Sequence, residues 1–164
     1  MKLSVIIPAY NEEQTLENVL KDVSRYVNHI IVVNDGSHDR THDIAHSHDV
    51  SVVSHLTNRG LGASLITGMA LAKKLDADFV VTFDADGQHR GQDIPRLVEA
   101  AHDKDADVVI GSRMMTKTGM PKHRVFYNGV ANVITWSLFG TWVTDSQSGL
   151  RLLNKKALDT MNLT

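Results

Sequence analysis

Leu3-Ser4-Val5-Ile6-Ile7-Pro8-Ala9-Tyr10-Asn11-Glu12, then Leu16, Val19, Leu20 and Val23 at helical spacing, then Ile30-Ile31-Val32-Val33-Asn34-Asp35-Gly36-Ser37 form the stretch that decides the fold. Short, nearly continuous β-branched runs are strands buried on both faces, and their alternation with helical patterns is the sequence form of a mostly parallel sheet covered by helices. The rhythm continues outward. Leu3–Ala9, Ile30–Val33, Val50–Ser54, Phe79–Phe83 and Val108–Ile110 read as five core strands. Leu61, Leu65, Met69 and Ala72, and later Ile94, Leu97, Val98 and Ala101, read as covering helices. The fold class expected is α/β.

The chain has 164 residues, 42% of them hydrophobic, enough for one sizeable core and too few for a second domain. Residues 1–164 therefore read as a single domain. The sequence stops at Thr164 just after a fresh helical start over Lys155–Met161, so truncation at the C-terminus is expected. Seventeen Lys and Arg against 19 Asp and Glu give a net charge of −2, which argues against a nucleic-acid partner. There is no cysteine, hence no disulfide framework, zinc-thiolate site or thiol nucleophile. Met1 to Pro8 lead into an apolar stretch too short for a signal sequence, which makes a cytoplasmic location the expectation. No stretch approaches the roughly 20 uninterrupted apolar residues of a spanning helix, since Asn128, Asn132, Ser137 and Gly140 break the most apolar window.

Each strand runs into a polar or glycine-bearing cluster: Tyr10-Asn11-Glu12-Glu13, Asn34-Asp35-Gly36-Ser37, Asn58-Arg59-Gly60, Asp84-Ala85-Asp86-Gly87 and Gly111-Ser112-Arg113. In open α/β sheets ligands bind at the carboxyl ends of the strands, so these clusters should converge on one cleft. The strongest signal is Asp84-Ala85-Asp86-Gly87-Gln88. Residues two apart on a strand point the same way, so both acids can face one point. A hard cation such as Mg²⁺ or Mn²⁺ takes one or two carboxylates plus substrate phosphates and water, and Gln88 could add a carbonyl oxygen. A solvated Asp-Gly turn is the plain alternative for this pair taken alone. The neighbouring clusters weigh against it. Asp35 sits at a strand mouth where a carboxylate can accept a base N–H, whereas Asp39 and Thr41 fit the capping of the helix that follows. Tyr10 suits either a core aromatic or a ring stacked on a nucleobase at the cleft edge.

These clusters, together with Asn58-Arg59-Gly60-Leu61-Gly62-Ala63, Asp84 to His89 and Asp145-Ser146-Gln147-Ser148-Gly149-Leu150-Arg151, cover nearly the whole chain in order. In that order the sequence resembles the family 2 glycosyltransferases, particularly the polyprenyl-phosphate sugar synthases that make dolichol-phosphate mannose and its relatives. The resemblance implies a GT-A fold, the Rossmann-like fold of nucleotide-diphospho-sugar transferases. It also implies an inverting transfer from a UDP- or GDP-sugar to a polyprenyl (dolichyl or undecaprenyl) phosphate. Carried over by position, it implies that Pro8, Tyr10, Glu12, Asp35, Ser37 and Asp84 bind the nucleotide, and that Asp84, Asp86 and Gln88 hold Mg²⁺ or Mn²⁺ on the diphosphate. Arg113, Arg124 and Asn128 would meet the acceptor phosphate, with Asp145, Arg151 and Arg113 at the reaction centre. Between Met114 and Arg124 the pattern departs from the family in a variable loop.

The chemistry suits these residue types without the family name. Charge grows on a departing diphosphate and needs a Lewis acid. A hydroxyl acceptor needs a carboxylate base, a role open to Asp145, whereas a phosphomonoester with a second pKa of about 6 is already largely ionised. Arg113 and Arg124 favour the phosphate, because guanidinium forks match its oxygens. Transfer to a hydroxyl of a polysaccharide or glycolipid and an inactive sugar-nucleotide-binding module are the alternatives.

Phe126, Val130, Val133, Ile134 and Leu138 keep helical spacing, and with Tyr127, Trp136, Phe139 and Trp142 nearby, five of the nine aromatic residues lie in residues 126–142, directly after Lys122, His123 and Arg124. Such a stripe fits core burial, contact with a membrane surface or a homodimer interface. Gly60-Leu61-Gly62-Ala63 lacks the third glycine of a dinucleotide fingerprint and reads as a helix start. His42 and His46 stand on a solvated helix and carry no assigned role.

Overall fold

A computed structural model of the protein describes residues 1–111, 149–161 and 163. Strands β1 (Leu3–Ala9), β2 (His29–Asn34), β3 (Ser51–Ser54), β4 (Phe79–Thr82), β5 (Val108–Ile110) and β6 (Arg151–Asn154) make one sheet in the order β3-β2-β1-β4-β6-β5. The helices between them are α1 (Leu16–Val23), α2 (Thr41–His46), α3 (Leu61–Lys74), α4 (Ile94–Asp103), entered through a 3₁₀ turn at Gly91–Asp93, and α5 (Lys155–Thr160). β1 pairs in parallel with β2 and β4, and β2 with β3, whereas β6 runs antiparallel between β4 and β5. The sheet is thus mostly parallel, as the strand, helix, strand rhythm predicts.

Alternation along the strands divides the core into two layers. Val5, Ile7, Val32, Val81 and Leu152 face α1 and α4, packing on Leu16, Leu20, Val23, Ile94 and Leu97. Ile6, Ile31, Val33, Val80 and Leu153 face the other way, onto Met69 and Ala72 of α3 and Leu158 of α5. Residues buried on both faces explain why the strands read as continuous apolar runs rather than alternating ones. Helix α3 lies so close to β1 that a Cβ on Gly68 would overlap the Ile6 side chain.

β2 is longer than expected by one residue at each end and β3 starts one residue later, and two larger differences bear on the site. β4 leaves the sheet at Thr82, opposite Ile6, one residue earlier than expected, so the Asp84 to Gly87 segment is a turn and not the end of a strand. The sixth strand was not expected at all. Arg151–Asn154 has only four residues and no turn signal after it, because Asn154 both ends β6 and caps α5 by accepting the Ala157 N–H at 2.8 Å.

The strand order reverses between β1 and β4: connections from β1 lead outward through β2 to β3, and the chain then returns to the other side of β1. The crevice beyond the carboxyl ends of these strands is where an open α/β sheet binds ligands.

Candidate nucleotide and metal site

Two loops above β1 and β2 are tied to each other by side-chain to backbone hydrogen bonds. The Asn11 N–H donates to Ser37 Oγ at 3.0 Å and the His38 N–H returns to Asn11 Oδ1 at 2.9 Å. The Glu12 N–H donates to Thr41 Oγ1 at 2.7 Å, and the Glu13 N–H to Asp39 Oδ2 at 3.1 Å. Asp39 also receives the Thr41 N–H at 3.0 Å, so it is Asp39 that supports the start of α2. Burial works against the Asp39 charge, yet the Thr41 hydroxyl and the N–H groups of Thr41 and Glu13 hold its carboxyl below the ordinary value. Pro8 is half-buried in β1, and Glu12 is half-buried with Oε2 accepting the Thr15 hydroxyl at 2.7 Å. Tyr10 is 41% exposed at the end of β1, which removes it from the core.

Asp35 directly follows β2 and is only 4% exposed. Its Oδ1 accepts the Arg59 N–H at 2.9 Å and lies 2.6 Å from His55 Nδ1, while Oδ2 accepts the Gly60 N–H at 2.8 Å. The carboxylate therefore gathers the β3–α3 connection onto the end of β2. Gly36 permits the approach: at φ +71° its missing Cβ would otherwise stand 2.6 Å from the Thr57 carbonyl carbon and 2.8 Å from the Asn58 nitrogen. Burial disfavours the Asp35 charge, but the Arg59 N–H, His55 and the Gly60 N–H outweigh it and lower the pKa from the ordinary 3.8.

A carboxylate with a lowered folded-state pKa adds stability that is present above its unfolded value and lost as pH falls through its folded value. Asp35 and Asp39 should accordingly leave stability flat at neutral pH and erode it only below about pH 4. In urea unfolding, the advantage of the wild type over Asp35→Asn is expected to narrow below that pH. A gap unchanged down to about pH 2 would contradict the ionised Asp35.

The Asp84 carboxyl is about one quarter exposed, with Oδ2 3.2 Å from the buried His89 Nε2. Ala85 between the acids drops into the core, which leaves Asp84 and Asp86 on the solvent side of the turn. Asp86 is exposed and its Oδ1 accepts the Gln88 N–H at 2.9 Å, closing the turn through Gly87 at φ +73°. Gln88 is exposed on the same turn. A Cβ on Gly149 would overlap the Asp84 carboxylate, so the glycine backbone lies directly against that acid. Thr82 holds it there, its hydroxyl donating to the Gly149 carbonyl at 2.7 Å. Arg151 is half-buried in β6 directly opposite Thr82.

Among the described residues no group of three or more His, Asp or Glu is gathered around one point for a metal ion. Two carboxylates on one short turn, with an amide beside them, fit a cation that completes its shell from a diphosphate and water, as Mg²⁺ and Mn²⁺ do. Arg113, Arg124, Asn128 and Asp145 lie outside the described residues, as does the aromatic stripe from Phe126 to Leu138. No helix among the described residues is long and apolar enough to cross a membrane. Sequence reading missed His55, Thr82 and the part played by Gly149. The only available signals were a glycine inside the Asp145 to Arg151 motif and polar side chains interrupting strand ends.

Comparison with known proteins bears on the family and the fold. The chain is 36% identical to the UDP-N-acetylglucosamine–dolichyl-phosphate N-acetylglucosaminyltransferase of Methanococcus voltae, over 96% of this chain and 71% of that protein. It is 32% identical to the polyprenol monophosphomannose synthase of Mycolicibacterium smegmatis, over 98% of this chain and 64% of that protein. Glucosyl-3-phosphoglycerate synthase from Mycobacterium tuberculosis, crystallised with Mn²⁺, UDP-glucose and phosphoglyceric acid, superimposes with a TM-score of 0.74 at 26% identity, over 94% of this chain and 57% of that one. The chain thus spans about two thirds of the length of these transferases and somewhat more than half of the synthase. Residues 4–161 match the domain described as glycosyl transferase family 2, and with this GT-A fold the chain belongs to that family.

Proposed function

We propose that the protein transfers a sugar, with inversion, from a nucleoside-diphosphate sugar to a polyprenyl phosphate. The observation that carries the proposal is the pair Asp84 and Asp86 on one turn beside β1, with the Gly149 backbone against Asp84. Names of related proteins support the acceptor class: dolichyl phosphate for the Methanococcus voltae transferase and polyprenol monophosphate for the mycobacterial synthase.

In this reading Tyr10 stacks on the base, Asp35 accepts a base N–H, and Pro8, Glu12 and Ser37 border the base and ribose. Asp84, Asp86 and Gln88 hold Mg²⁺ or Mn²⁺, which when bound supplies Lewis-acid stabilisation to the departing diphosphate. Arg113, Arg124 and Asn128 orient the acceptor phosphate, and Asp145 and Arg151 border the reacting carbon. An acceptor phosphate oxygen attacks the anomeric carbon from the face opposite the diphosphate, the bond to the diphosphate oxygen breaks, and the electron pair leaves with it. A phosphomonoester is mostly ionised at neutral pH, so no protein base has to take a proton. The lipid tail of such an acceptor implies contact with a membrane surface, a role open to the Phe126 to Leu138 stripe.

A donor screen that reads released nucleotide, run on the full chain with and without a short-chain polyprenyl phosphate, tests the proposal. Release that depends on the lipid phosphate is the expected result. Release driven by a glycolipid hydroxyl, or nucleotide binding with no turnover, would replace it with a hydroxyl transferase or an inert binding module.

A further inference from the structure

Asp35, His55 and Thr67 form a line of hydrogen bonds from the end of β2, through the β3–α3 connection, to the second turn of α3. His55 Nδ1 is 2.6 Å from Asp35 Oδ1, and Nε2 is 2.9 Å from Thr67 Oγ1. The His55 and Asp35 side chains are 6% and 5% exposed. An ionised carboxylate only accepts, so Nδ1 carries a proton toward Asp35. Each carboxylate oxygen offers two lone-pair positions. On Oδ1 both are taken, by His55 and by the Arg59 N–H, and on Oδ2 one is taken by the Gly60 N–H. Among the described residues, one acceptor position of Asp35 is left.

That count bears on which base the crevice can read. Resting on the proposed role of Asp35 at the nucleotide base, we infer that His55 is a specificity-determining residue that makes Asp35 a one-bond acceptor and so selects uracil over guanine. Uracil presents a single N–H on its pairing edge. Guanine presents two side by side, and a carboxylate reads both only when each of its oxygens is open. With Oδ1 filled, a guanine bound here leaves one N–H without a partner in a buried site, a loss of about tenfold or more in affinity. Cytosine and adenine set a ring-nitrogen acceptor on the same edge, which a carboxylate repels. The selectivity is built by a residue that never touches the base.

Calorimetric titration of the chain with UDP and GDP, in the presence of Mn²⁺, tests the inference. The wild type is expected to bind UDP at least about tenfold more tightly than GDP. His55→Asn keeps an N–H near the Nδ1 position and should retain that ratio. His55→Leu opens the second lone pair of Oδ1 and should shrink the ratio by about threefold or more, because GDP gains what UDP does not. A structural role alone would weaken both nucleotides together. Equal or stronger binding of GDP by the wild type overturns the inference without any variant, as does a ratio in a folded His55→Leu equal to that of the wild type. Failure of the wild type to bind either nucleotide would overturn instead the reading of Asp35 as part of a nucleotide site.

Discussion

Gly149→Ala is expected to reduce sugar transfer by about 10²–10³-fold while the chain stays folded, which is the size of effect seen when one element of transition-state charge stabilisation is lost. The added methyl would occupy the space of the Asp84 carboxylate. The glycine backbone cannot retreat, because Thr82 Oγ1 holds the Gly149 carbonyl at 2.7 Å and the Gly111 N–H holds the Leu150 carbonyl at 2.9 Å. Asp84 must therefore swing away from its position near His89. The enhancement of UDP affinity by Mn²⁺, read by calorimetry, should disappear in step with activity, while thermal unfolding shifts little. A variant with wild-type turnover and wild-type metal dependence would show that the contact between Gly149 and Asp84 has no bearing on the reaction.

A larger loss is expected for Asp84→Asn. The amide keeps the shape of the carboxyl but removes its charge and one oxygen donor, so a hard cation loses a primary ligand. We expect about a thousandfold fall in kcat/KM, equivalent to about 4 kcal/mol of transition-state stabilisation. Asp86→Asn should cost less, since Asp86 is exposed and already turned toward the Gln88 N–H. Steady-state kinetics across a Mn²⁺ series separates the two. Asp84→Asn should not be rescued by excess metal, whereas Asp86→Asn should recover part of its activity. Equal activities for both variants and the wild type would remove the acidic pair from the reaction.

Much of the fold was legible because strands buried on both faces leave unbroken apolar runs, as at Leu3–Ala9, and covering helices leave a three-to-four spacing, as at Leu16 to Val23. β6 was hidden for the opposite reason. Its four residues pass straight into α5 with Asn154 serving both elements, so no turn chemistry separates them. At the site, Tyr10, Asp35 and Asp84 could be found from their positions, since each follows an apolar run. The partners that set their geometry could not. His55 is 20 residues from Asp35, and Gly149 is 67 residues from its Thr82 clamp. Those contacts exist only once β2 is laid beside β3, and β4 beside β6, and no local periodicity encodes either pairing.

The most direct test of the account is anomalous scattering at the manganese edge from crystals of this chain soaked with Mn²⁺ and UDP. The account predicts a single strong peak within coordination distance of an Asp84 carboxylate oxygen and of the diphosphate, with Asp86 turned toward it. A nucleotide bound in the crevice with the manganese peak elsewhere, or with Asp84 still against His89 and no metal beside it, would contradict it.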